Sequence, residues 1–159
     1  MDVGTSGSLT GGDYCAPTFV DIDADGDLDC FLGENSGIIN YLENIGTATV
    51  AVFDIVVPGP GTHHFTTSKP NPLFGVDVGL TSKPTFADLD GDGDLDAIIG
   101  SYNTGINYWE NVGNSSVAVF VDRTLTSLNP LLLVAIPATS LEGSLRPGCL
   151  DVDGDGDVD

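Results

Sequence analysis

The sequence predicts an all-β protein built from tandem units, each a small sheet of four short antiparallel strands around an acidic loop. Three observations point there. First, a nine-residue aspartate run occurs three times: "DIDADGDLD" at Asp21–Asp29, "DLDGDGDLD" at Asp88–Asp96 and "DVDGDGDVD" at Asp151–Asp159, with starts 67 and then 63 residues apart. Near-constant spacing marks a structural repeat. Second, Pro17–Phe53 aligns with Pro84–Phe120 without a gap and with 21 identities. Third, the segments around the runs are short, rich in β-branched and aromatic residues, and bounded by Gly, Asn or Pro, which is the signature of strands.

The elements follow in order within one unit. "PTFADL" is a short apolar strand entering the aspartate run, and "LDAIIGS" leaves it as a second strand. "GINYWENVG" is a third strand, ending in an Asn-x-Gly turn. "VAVFVDR" supplies a fourth. Four short antiparallel strands per unit of ~65 residues suit a propeller-type blade, although ~40–50 is the usual blade length. A solenoid-like stack is the alternative arrangement for the same repeat. The surplus length, Asp54–Ser82 and Leu125–Leu145, reads as loops or small insertions. The expected division is residues 1–75 for the first unit, 76–143 for the second and 144–159 for the start of a third. "DVG" at Asp2–Gly4 returns at Asp77–Gly79, so the chain opens in mid-unit and reads as an excerpt from a longer, incomplete array.

Charge narrows the function. Lys and Arg number 4 against 24 Asp and Glu, giving a net charge of −20, and fifteen of the acids lie in the three runs. Nucleic-acid binding needs a basic footprint, and anionic membrane surfaces attract basic segments, so both partners are disfavoured. With 41% hydrophobic residues the chain can form a core. The longest apolar run, Leu131–Ala138, is too short to span a bilayer, so no membrane insertion is expected. The first residues lack the basic and apolar regions of a signal peptide, which implies a removed signal or a piece of a longer chain. Three cysteines, Cys15, Cys30 and Cys149, imply no disulfide framework.

Within each run Asp stands at positions one, three, five, seven and nine, and Gly at six (Gly26, Gly93, Gly156). A hard divalent cation such as Ca²⁺ takes six to eight oxygens at ~2.3–2.6 Å. A loop supplies them by turning side chains one, three, five and nine inward, with a backbone carbonyl from seven. Gly at six allows the sharp turn because a positive φ costs it little. An EF-hand requires Glu at position twelve, where this chain has Leu32 and Ile99. An all-oxygen ligand set also argues against zinc and copper. The competing explanation is an acidic face on an exposed strand, because x-Asp-x-Asp has period two. Three runs, each with Gly at six, weigh against it.

These stretches, "PTFADLDGDGDLDAIIG" and "INYWENVG" with their counterparts in the first unit, resemble FG-GAP/VCBS-type repeats, the calcium-loop blades also found in integrin α-subunit propellers. The resemblance covers nearly the whole chain. It implies extracellular β-propeller blades with one Ca²⁺ per loop. By position it implies a first site of Asp21, Asp23, Asp25, Asp27 and Asp29, a second of Asp88, Asp90, Asp92, Asp94 and Asp96, and a third of Asp151, Asp153, Asp155, Asp157 and Asp159. In each the seventh residue contributes its carbonyl and leaves its carboxylate free. Such propellers usually close with about seven blades, more than the two units and a fragment present here.

Other residues carry less. His63 and His64 sit in a Pro/Gly-rich loop without a Cys or Glu partner and read as loop decoration. Tyr108 and Trp109 offer a sugar-stacking platform, but Tyr41 and Leu42 fill the same slots in the first unit, which favours packing. Asn114 heads an N-x-Ser sequon in an expected turn. Cys149 takes the slot of Phe19 and Phe86, so a buried thiol is expected. No nucleophile–base pair and no Gly-rich phosphate loop is evident, so the chain reads as non-catalytic. The expected role is structural or adhesive, secreted or at the cell surface. Partners would be further copies of itself, adjacent repeats, glycans or cell-surface proteins. A lectin-like propeller and an accessory domain of an extracellular hydrolase or lyase are the alternatives.

Overall fold

The computed structural model describes residues 16–54, 69–132 and 145–149. The third aspartate run, His63, His64 and Cys15 lie outside the described residues. The rest is all-β: two antiparallel sheets, and no helix among the described residues.

The first sheet contains β1 (Ala16–Val20), β2 (Asp29–Gly33) and β3 (Ile39–Leu42), in that order. The second contains β4 (Lys83–Ala87), β5 (Asp96–Gly100), β6 (Ile106–Asn111) and β7 (Phe120–Asp122). Their registers are the same: Phe19 faces Cys30 in one, and Phe86 faces Ala97 in the other. Each aspartate run is therefore the connection of a hairpin, β1 to β2 or β4 to β5. Among the described residues the fourth strand is present only in the second sheet. In the first, Phe53 forms a single bridge with Asn44, and the Asp54 amide donates to the Glu43 carbonyl before the chain leaves the described residues.

The middle strands β2 and β5 are buried along their whole length. Both carry a glycine at the last position, and the reason is a close approach. A Cβ on Gly33 would collide with the Ser82 carbonyl, and one on Gly100 would collide with the Leu145 carbonyl. The segment leading into β4 thus lies on β2 as the segment at Leu145–Pro147 lies on β5. Thr18 Oγ1 donates to the Pro84 carbonyl at 2.6 Å, and the Phe31 and Phe86 rings meet at 4.5 Å. One apolar cluster joins the sheets through Phe31, Ile39, Tyr41, Ala97 and Ile99.

The stretch before β4 is more than a surface loop. Leu73, Val76 and Val78 are buried in that same cluster, and Asp77 bridges to Ile38. Their spacing is neither helical nor strictly alternating, so periodicity alone does not reveal them. Cys30 is buried and free, its thiol pushed up to about 11 by burial; Cys149 is half-buried, its thiol shifted in the same direction. Neither is activated, because the thiolate is the disfavoured form.

Candidate metal centre

The two described loops are built alike. Gly26 and Gly93, at position six, have φ of 94° and 96°, so the expected left-handed turn is present in both. Position four is left-handed too: Gly91 has φ 78°, and Ala24 holds φ 58° despite its Cβ.

These turns fold the backbone N–H groups onto the carboxylates. Asp21 accepts from the Asp25 and Gly26 amides, both at 3.1 Å. Its equivalent Asp88 accepts from Gly91 at 2.8 Å, Asp92 at 3.2 Å and Gly93 at 2.9 Å. Position three accepts from the amide of five at 3.3 Å, and five from the amide of seven at 3.1 Å, in both loops. The result is a convergent triad. Oxygens of Asp21, Asp23 and Asp25 lie within 4.8 Å of one another, as do those of Asp88, Asp90 and Asp92.

Position seven, expected to give its backbone carbonyl and leave its carboxylate free, has a buried carboxylate. Asp27 and Asp94 are only 8% and 7% exposed, and in each Oδ1 has no hydrogen-bond partner. Burial, then the field of Asp92, Asp96, Asp90 and Asp88, pushes the Asp94 carboxyl up to about 6. Asp27 shifts the same way, through burial and then Asp25, Asp23 and Asp21. A buried anionic oxygen without a donor calls for a positive charge.

Position nine is the hub of each unit. Asp29 accepts from the Tyr41 hydroxyl and the Asn44 amide, both at 2.8 Å. Asp96 accepts from the Tyr108 hydroxyl at 2.9 Å, the Asn111 amide at 2.8 Å and the Leu89 amide at 3.1 Å. Burial pushes the Asp29 carboxyl to about 6 despite these donors, and raises Asp96 as well. Both residues stand outside the close triads, so they tie the loop to the third strand. Tyr41 and Tyr108 are buried, and Trp109 is half-buried against the core. The repeated "NY.EN.G" is explained here. The Tyr anchors position nine, and the Asn44 and Asn111 side chains accept from the amides of Gly46 and Val52, or Gly113 and Val119, shaping the next turn.

Two acidic residues outside the runs belong to the surroundings. Glu43 and its equivalent Glu110 flank position three. Lys69 links the first pair, with Nζ 2.5 Å from Asp23 and 2.7 Å from Glu43. In the second unit Arg123 pairs with Glu110 at 2.7 Å. The Glu is legible in the repeated "EN.G" but has no loop spacing to mark it. Lys69 carries no signal in the sequence, because it reaches the loop from 46 residues away.

The donor set fits a hard cation. Every candidate ligand is an oxygen, three carboxylates converge, and the position-seven carboxylate of the same loop is buried with an orphaned oxygen. Comparison with known proteins finds no matching family model, curated protein or solved structure.

Proposed function

We propose that this chain is a non-catalytic, Ca²⁺-stabilised β-repeat module of the FG-GAP/VCBS type, structural or adhesive in role and working outside the cell. The observation that carries it is the pairing, in each described loop, of a three-carboxylate triad with a buried, partnerless carboxylate oxygen at position seven. Asp21, Asp23, Asp25 and Asp27 would hold one ion, and Asp88, Asp90, Asp92 and Asp94 another. Ca²⁺ suits an all-oxygen site on flexible loops better than a softer metal does. Millimolar extracellular calcium would fill sites of the affinity common in extracellular modules. Propeller-type stacking is supported by the like placement of Ser82 on Gly33 and Leu145 on Gly100.

Calorimetric titration with CaCl₂ tests the reading. The parent chain takes up Ca²⁺, and Asp92→Ala abolishes uptake at the second loop. A parent chain that binds none refutes it.

A further inference from the structure

The two loops differ in where their basic neighbour sits. At the first, Lys69 Nζ touches Asp23, a member of the triad itself, and Glu43, which is 6% exposed. At the second, Arg123 Nε reaches Glu110, and among the described residues no ion pair to Asp90 is found. Glu110 adds to the negative field at Asp90. The first loop therefore carries a tethered ammonium on a ligand carboxylate, and the second does not.

We propose that Lys69 is an intramolecular counter-cation that weakens Ca²⁺ binding at the first loop, so that the second loop fills at lower calcium. The inference rests on the metal reading above. Its geometric basis is the triad, the buried and partnerless Asp27 oxygen of the same loop, and the Lys69–Asp23 contact. An incoming ion must share Asp23 with the ammonium or displace it. If it is displaced, the ion pair with Asp23 is lost; if it is shared, two positive centres meet across one carboxylate, about 5 Å apart. Coulomb repulsion of a divalent ion by a unit charge at that range in a water-like dielectric amounts to about tenfold in affinity. Lys69 is half exposed, so salt screens the effect. Without calcium the same ammonium offsets the repulsion among Asp21, Asp23 and Asp25, and it is the partner of an otherwise isolated buried Glu43.

The test isolates the first loop by Asp92→Ala and Asp155→Ala in the full chain, and titrates it with CaCl₂ by calorimetry. Adding Lys69→Met tightens the dissociation constant about tenfold at low salt, and the gap narrows in 0.5 M NaCl. Lys69→Arg keeps the charge and leaves the constant near the parent value. Lys69→Gln, which removes the charge but can still donate a hydrogen bond to Glu43, covers the case in which Lys69→Met fails to fold, and it also binds more tightly. An unchanged constant in the folded Lys69→Met or Lys69→Gln variant overturns the role of Lys69 while leaving the sites intact. No calcium uptake by the unmutated chain overturns the sites themselves.

Discussion

Removing divalent cations should cost the protein much of its stability, and the size can be worked from the triads. Three carboxylates within 4.8 Å of one another form three repulsive pairs per loop. In a water-like dielectric each pair costs about 0.9 kcal/mol, so the two described loops together carry ~5 kcal/mol. That is comparable with the whole stability of a typical domain, ~5–15 kcal/mol. A cation at 100 times its Kd returns about 2.7 kcal/mol per site. Two sites then raise Tm by ~10–20 °C for a chain of this size. The assay is thermal unfolding in 2 mM CaCl₂, in EGTA, and in EGTA with 1 M NaCl. High salt shortens the Debye length to about 3 Å and relieves plain repulsion without coordination. The expected order is calcium well above salt, and salt above EGTA alone. A Tm in EGTA within ~2 °C of that in calcium refutes the argument. So does full recovery in NaCl, which would make the runs an acidic face and nothing more.

Two further outcomes follow from the loop geometry. Ala24→Gly should stabilise the protein by about 0.5–1 kcal/mol in denaturant titration, and Gly91→Ala should destabilise it by about 1 kcal/mol, because a Cβ is disfavoured at left-handed position four whatever space surrounds it. The Asp29 and Asp94 carboxyls lie near 6 when folded and near 3.9 when unfolded, so the metal-free fold holds their protons more tightly than the unfolded chain does. Metal-free Tm should therefore rise as pH falls from 7 towards 4, most steeply around pH 5, midway between the two values, while the increment given by calcium shrinks; a metal-free Tm that falls across pH 7 to 5 contradicts the assignment.

Much of this was legible in the sequence because it is local. The strands, the hairpin role of the aspartate runs and the left-handed glycine at six all follow from residues within a nine-residue window or its flanks. The convergence of positions one, three and five follows too, since the turn that Gly26 or Gly93 permits is enough to bring them together. Distance in the chain sets the limit of what can be read. Asp29 and Asp96 look like ligands by spacing, yet their contacts with Tyr41, Asn44, Tyr108 and Asn111 exist only once the third strand pairs with the second. Burial of Asp27 and Asp94 likewise depends on the completed sheet.

The same distinction explains which residues the two units share. The identical positions include those that the loop and its hub require: the aspartates, the turn glycine, the tyrosine and the asparagine. Some positions that meet another unit differ, while Gly33 and Gly100 are both held to glycine by the close approach there. Phe31 stacks on Phe86 across the sheets, while its counterpart Ile98 takes a different shape on the same buried strand. Ser82 and Leu145, which close over Gly33 and Gly100, contribute a backbone carbonyl, and a carbonyl places no demand on the side chain. Lys69 is also a position where the units differ, Ser127 standing at its place before the shared Asn-Pro-Leu. It is specified by neither the loop nor the hub, so two loops of one design can differ in charge without any change in the design itself. Differences in cation affinity within such a repeat would then be set from outside the loops, by residues that a motif search passes over.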